Sequence, residues 1–272
     1  MSKKTKSKRG FPIFQRKYLC IPYALFLILF VIIPILIIVV YAFTDENFCF
    51  SLDALVNFFT TPSKLNVLFV SLFIALQTTV ICLLIGYPLA FFLADKKVNK
   101  NAVLITLFVA PMWINFVLRT WATRDVLSAI GISGGTSPYL ATLIGMVQNY
   151  LPFVILPLYT TMLKLDKSQI EAASDLGANP AQVFFKSILP QSIPGIVSAC
   201  LMTFMPTMSS YVVSDIFSEG KITIFGKFIE LEFENNLWHD GSFMALIMLV
   251  IIGITMFFTR NTEKSDARGN SL

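Results

Sequence analysis

The chain has 272 residues, 56% of them hydrophobic and only 14% charged, with a formal net charge of +5 at pH 7 and a mean hydropathy of +0.73. Soluble globular proteins carry about 25% charged residues, so the composition excludes a disordered chain and argues against a water-soluble domain. A polytopic membrane protein remains, and the 26 Phe suit it, because Phe partitions well into hydrocarbon.

A membrane helix needs about 20 mostly apolar residues. Six stretches free of Asp, Glu, Lys, Arg and His are candidates: residues 19–43, 65–94, 102–118, 139–163, 187–214 and 241–259. Residues 1–18 form a basic tail ahead of the first. That first run is 25 residues long, against about 7–15 for a signal-peptide core, and no A-x-A site follows it, so it reads as an uncleaved helix. In the next loop Leu52, Leu55, Val56 and Phe59 recur at helical spacing and predict a short interfacial helix. The third stretch is the shortest and extends toward Arg119. A loop over 120–138 with Gly131, Gly134 and Gly135 precedes the fourth span. A polar loop over 164–186 separates the fourth from the fifth, and a long loop over 215–240 precedes the sixth. Residues 260–272 form a tail. The expected fold is all-α, with six transmembrane helices over residues 19–259.

Orientation follows the positions of Lys and Arg. With the N-terminus cytoplasmic, sixteen of the 21 basic residues fall inside. Lys64, Arg119, Arg124, Lys221 and Lys227 are the basic residues outside. Both termini are therefore expected in the cytoplasm. The outer side then carries ten acids, a surface able to gather cations, although basic depletion there already follows from topology.

Four cysteines, Cys20, Cys49, Cys82 and Cys200, lack CxxC spacing and read as packing residues rather than metal ligands. The single histidine, His239, builds no metal site alone. Gly131-Ile132-Ser133-Gly134 matches the GxSG serine motif of rhomboid proteases, but a Ser–His pair is needed to activate the hydroxyl, and both residues fall in loops. Catalysis is not the favoured reading. A channel is a further class.

The segment over 164–196, KLDKSQIEAASDLGANPAQVFFKSILPQSIPGI, parses as two short helices. Asp166 caps the first, with Gln169 in capping-box register. Gly177 suits a left-handed C-terminal position. Asn179 caps the second, Pro180 takes its first position, and Val183, Phe184 and Ile188 give it an apolar face. Pro190 marks a break before the fifth span. Such a loop is either an amphipathic connector or a docking element for a soluble partner, and the small pair Ala172–Ala173 permits close approach.

Glu171-Ala172-Ala173, then Gly177, then Leu189-Pro190 resembles the EAA loop of ABC-importer permeases, EAA-x3-G-x9-I-x-LP. The usual Ile falls on Ser187, with Ile188 beside it. LPLYTTMLKLDKSQIEAASDLGA (156–178), PMWINFVLRTWA (111–122) and YVVSDIF (211–217) are similar to the spermidine/putrescine permeases of PotB type. The similarity spans most of residues 52–259. It implies the type I ABC-importer permease fold, with the loop as ATPase-coupling helix. It also implies a PotC-like second permease, a dimer of PotA-like ATP-binding subunits and a PotD-like binding protein, with no nucleic acid among the partners. ATP is used by the partner subunit, since the chain has no GxxxxGK[ST] and is expected to bind no cofactor and act as no enzyme. A related importer for ferric ion or an amino-acid derivative is the alternative cargo reading.

A flexible polycation needs weak multi-point attraction from acids and aromatic faces. Asp215 ends the fifth span one turn after Tyr211, and the resemblance favours it as a pathway residue over an interfacial cap. Trp113, Asn115 and Arg119 lie on the outer half of the third span. Arg119 has two readings, a pair with an acid that holds a gate closed, or an interfacial arginine lying along apolar surface. Gln148 and Asn149 should face protein or water. Trp121 and Trp238 read as an aromatic belt. Glu230, Glu232 and Glu234 read as a docking edge or a solvated loop.

Overall fold

The computed structural model describes residues 16–95 and 103–269, with side chains described from 21 to 257. The predicted basic tail up to residue 15 and residues 96–102 lie outside the described residues. The helices are α1 (Arg16–Leu27), α2 (Ile33–Ala42), α3 (Asp53–Thr60), α4 (Pro62–Ala94), α5 (Val103–Val109), α6 (Phe116–Ala129), α7 (Pro138–Met162), α8 (Lys167–Asp175), α9 (Pro180–Val183), α10 (Leu189–Ser209), α11 (Tyr211–Ser218), α12 (Phe225–Glu234) and α13 (Trp238–Gly269). Among the described residues the β structure is a single bridge between Thr44 and Phe50.

Five helices are long and apolar enough to cross a membrane, and α5 with α6 is a sixth candidate, a pair bent by 99° that is either a broken span or a re-entrant loop. The third span is therefore not the straight helix the sequence predicts. Its helix ends at Val109, tightens into a 3-10 turn over Ala110–Trp113 and breaks at an extended Ile114. Two residues cause this. Pro111 has no N–H for a helix. Asn115 turns its side chain onto the backbone N–H groups of Val117 and Leu118, at 3.0 and 3.2 Å, and so starts a new helix. Residues 120–129, expected as loop, belong to that helix.

Prolines 34 and 190 act differently. Each follows a short π turn, Ile28–Ile32 and Phe184–Ile188. The N–H of Ile33 bonds Ile28 O and that of Leu189 bonds Phe184 O. The wider turn moves aside the carbonyl that a proline ring strikes in an α-helix, so the chain stays helical. The break predicted at Pro190 is absent for this reason, and Pro180–Ser209 is one span.

The core is where α4, α7 and α10 pack together. In lipid no hydrophobic drive joins helices, so close contact through small residues does. α4 buries Ser71, Ala75, Thr78, Cys82, Gly86 and Ala90, and α10 buries Ser192, Gly195, Ala199, Thr203 and Thr207. Both sets recur every three or four residues, which makes one stripe per helix. Tyr87 Oη and Ser192 Oγ, 2.8 Å apart, join α4 to α10. A second cluster, with Phe58, Phe225, Phe243 and Met244, gathers α3, α12 and α13 at the end of the bundle opposite α8. In α3 it is Ala54 and Phe58 that are buried, while Leu52, Val56 and Phe59 face outward. The predicted helix forms with Leu52, Val56 and Phe59 of its apolar set turned outward, as an interfacial helix requires, while Leu55 packs against the cluster. Apart from Ala42 the residues of Ile21–Ala42 stay exposed or half-buried, a surface that suits lipid or a partner helix.

The glycine-rich turn before α7 is a packing device. A Cβ on Gly134 would lie 2.5 Å from the carbonyl carbon of Ser218 and 2.8 Å from the Glu219 nitrogen. Lys221 Nζ donates to Gly135 O at 3.0 Å, and Arg124 Nη2 to Glu219 Oε1 at 2.9 Å. Gly134→Ala is expected to lower stability by about 1–3 kcal/mol through overpacking, read as a thermal shift of the purified protein. Ser133→Ala, whose hydroxyl meets only Thr136, should shift it far less.

Candidate functional site

The loop between α7 and α10 closes one end of the bundle. Asp166 Oδ1 accepts from the Ser168 N–H at 2.9 Å and the Ser168 hydroxyl at 2.7 Å, capping α8. Its carboxyl is held below the ordinary range by those bonds. The reciprocal bond comes from α10 rather than from Gln169: Gln191 Oε1 accepts from the Asp166 N–H at 2.9 Å, and Gln191 Nε2 reaches Gln169 at 3.3 Å. One side chain thus ties the start of α8 to the body. Gly177 has φ +82°, the left-handed value that ends α8. Asn179 and Gln182 complete a full capping box on α9, and Val183 and Ile188 bury its apolar face. Glu171, Ala172, Gly177 and Pro190 are exposed, while Ala173 and Leu189 are half-buried. Leu176, at the apex, is 89% exposed.

The break in the third span makes a second site. Arg119 Nη1 donates to Pro111 O at 2.9 Å, and its Nη2 and Nε donate to Asn149 Oδ1 at 2.7 and 3.2 Å. The acid expected as its partner is not there: among the described residues Arg119 joins no ion pair. Asn115, expected within the third span, caps α6, and Trp113 is 81% exposed. A groove of about 360 Å³ lined by Phe108, Pro111, Arg119, Gln148, Leu151 and Pro152, among others, runs beside this arginine.

Past α10, Tyr211 and Asp215 sit on the separate helix α11, because Ser210 ends the fifth span five residues before Asp215. Lys227 of α12 stands 5.3 Å from the Tyr211 ring centre, 2.9 Å from Glu230 Oε2 and 3.8 Å from Asp215 Oδ2. Burial raises the Asp215 carboxyl above the usual range, Lys227 pulls it down and Glu230 pushes it up, so it takes up a proton before an exposed aspartate does. Glu230, Glu232 and Glu234 belong to a helix, not a loop, and Glu232 is buried against Lys64. Trp121 and Trp238 are exposed, as a belt requires. The hydrolase reading fails on geometry. The Ser133 hydroxyl meets Thr136, while His239 Nδ1 lies 3.0 Å from Tyr41 O.

No family model matches the chain. Similarity to curated proteins decides the matter. The spermidine/putrescine transport system permease PotB of Haemophilus influenzae is 33% identical over 259 residues, 88% of this chain and 90% of that one. PotB of Escherichia coli is 33% identical over 250 residues, 85% of this chain and 91% of that one. The chain belongs to the PotB permease family. A PotB homolog of Mycoplasma genitalium is 24% identical over 261 residues, covering 90% and 91% of the two chains. Two solved structures share the PotB-family fold seen here. One is a bacterial ABC transporter involved in the import of the acidic polysaccharide alginate, with TM-score 0.62 and 14% identity, covering 90% of this chain and 95% of that one. The other is a bacterial alginate ABC transporter in complex with an alginate pentasaccharide-bound periplasmic protein, with TM-score 0.65 and 14% identity, covering 92% and 94%. A PotB-family chain with these helices is a multi-pass inner-membrane permease, a transport subunit.

Sequence reading missed the partnership of Arg119 with Asn149 and the burial of Lys64. The signal for the first was present, since Pro111 and Asn115 both interrupt helices. For the second there was none, because a lysine at a helix start reads as surface.

Proposed function

We propose that the chain is one permease half of an ATP-driven importer of polyamines. The observation that carries this reading is the match to spermidine/putrescine permeases over nine-tenths of their length. In this reading a PotC-like permease supplies the other half of the path. A dimer of PotA-like subunits uses the ATP, and a PotD-like protein delivers cargo to the opposite side. Both termini and the α8 loop lie in the cytoplasm, with Lys and Arg concentrated there. Glu171, Ala172, Ala173 and Gly177 dock into the ATP-binding subunit, while Leu189 and Pro190 carry the motion into α10. The exposure of Leu176 beside two capped, well-defined short helices supports a rigid docking element. ATP-driven closure of the ATPase dimer moves that element and tilts α10 against α4 and α7, which switches the path between inward- and outward-open.

At the delivery side Asp215, Glu230 and the Tyr211 ring already hold an ammonium, that of Lys227. An incoming primary ammonium fits the same chemistry. The test is uptake of labelled spermidine and putrescine by cells expressing the chain with its neighbouring transporter subunits. Energy-dependent uptake that disappears when this chain alone is omitted is expected. An assembled complex that hydrolyses ATP without taking up either polyamine removes the cargo assignment and leaves an importer of another small solute.

A further inference from the structure

Arg119 presents a physical problem. It is a cation set among helices, and every group that receives its protons is neutral: the Pro111 carbonyl and the Asn149 amide oxygen. Both acceptors are fixed before the arginine arrives. The Pro111 carbonyl accepts the Ile114 N–H at 3.3 Å in the 3-10 turn before the break, and its second lone pair is left for the guanidinium. Asn149 is 1% exposed, and its Nδ2 donates to Gly145 O at 3.0 Å, so Oδ1 faces the guanidinium. A third oxygen has no donor. Gln148 Oε1 is buried without a hydrogen-bond partner among the described residues, and Gln148 lines the same groove as Pro111 and Arg119. Buried oxygens without donors are costly. Asn149 is the twelfth of the 25 residues of α7, near the depth at which transporters with discontinuous helices hold their cargo.

We propose that Pro111 O, Asn149 Oδ1 and Gln148 Oε1 form a subsite for a primary ammonium of the cargo, and that the Arg119 guanidinium is the chain's own occupant of it. The proposal rests on the polyamine reading above. An ammonium has three N–H donors, one for each oxygen. Arginine leaves as the cargo ammonium enters, so the site always holds one cation, and of its three oxygens it is Gln148 Oε1 that gains a donor only when cargo is seated. Neutral carbonyl and amide oxygens bind a cation firmly enough to admit it and weakly enough to release it. A carboxylate at this depth would trap a polycation. With Arg119 seated, α6 is pinned to α7 and the path is shut. With cargo seated, the pin is released.

The test uses the assembled transporter in proteoliposomes and reads KM and Vmax for spermidine. Asn149→Asp gives Arg119 an ion pair, and Vmax is expected to fall about tenfold, the effect of roughly one charge-assisted bond. In an Arg119→Gln background the same substitution gives the carboxylate to the cargo instead, and KM should drop about tenfold. A merely structural Asn149 gives losses of the same sign in both backgrounds, and that result overturns the subsite. Gln148→Leu guards against misfolding. Removing an unpartnered buried oxygen leaves the fold intact or firmer, yet the subsite requires a higher KM with the protein level unchanged. An unchanged KM in that variant also overturns it. A wild-type complex that hydrolyses ATP without spermidine uptake removes the polyamine reading and the subsite together. Normal wild-type uptake with same-sign effects removes the subsite alone.

Discussion

Gly177→Val should cut ATP-driven uptake by about tenfold to a hundredfold while the protein still inserts and assembles, and Gly177→Asn should keep most of it. The reasoning starts from the backbone. Residue 177 has φ +82°, and nothing lies within 4 Å of a Cβ built there. A substitution therefore meets no steric clash, and whatever it does is done through the dihedral. A β-branched residue in the left-handed region costs about 1–3 kcal/mol, whereas asparagine visits that region readily. The loop has an alternative that avoids the strain, because the hydrogen bonds that tie α8 to α10 lie at its start, at Asp166, Gln169 and Gln191. Strained, it swings rather than unfolding the bundle. Leu176 and the Glu171 face then leave the orientation in which an ATPase groove receives them. Uptake and cargo-stimulated ATPase should fall together at equal membrane levels. Unimpaired uptake in the valine variant would sink the coupling assignment, since the strained backbone would then leave the loop's docking untouched.

Gly177 was readable from the sequence for the same reason that it is testable. A glycine between two capped helices has one common structural use, and Asp166, Asn179 and Pro180 punctuate the segment unambiguously. The spans were readable because lipid demands long uncharged runs. What the sequence did not reveal depends on which of two local signals wins. Pro190 and Pro111 look alike in the sequence. Pro190 is absorbed by a π turn within a helix that continues, whereas Pro111 lies four residues before Asn115, whose side chain offers the backbone a fresh start. The pairing of Arg119 follows from that break and not from charge, so a search for its acidic partner was bound to fail. Likewise the alternating acids over 230–234 look like a solvated edge, and only tertiary packing shows that Glu232 points inward.

That inward acid leads to the largest expected stability effect. Lys64→Met should destabilise the protein by about 3–5 kcal/mol, the usual result of removing one partner from a buried ionic cluster. Lys64 is 5% exposed and Glu232 7%. Lys64 Nζ stands 2.8 Å from Asp240 Oδ2 and 3.7 Å from Glu232 Oε1, and Asn57 Nδ2 donates to the same Asp240 oxygen at 2.6 Å. These four residues join α3, α4, α12 and α13 beside the cluster of Phe58, Phe225 and Phe243. One ammonium faces two carboxylates, and Glu232 Oε2 has no hydrogen-bond partner among the described residues. Burial first, then the neighbouring Asp240, pushes the Glu232 carboxyl above its ordinary range, with Lys64 opposing. The sign of the pH effect follows. A carboxyl whose folded pKa is raised gives stability that is complete below its unfolded pKa and is lost as pH rises through the folded one. Wild-type thermal stability should therefore decline as pH rises through the raised Glu232 pKa, more than Glu232→Gln declines. Lys64→Met, left with two unopposed acids, should decline most steeply and recover part of its loss on acidification. Thermal unfolding of the purified complex at about pH 5 and about pH 8 separates the three proteins. A Lys64→Met variant as stable as wild type at the higher pH would show that Asp240 and Glu232 are met by water rather than by this lysine.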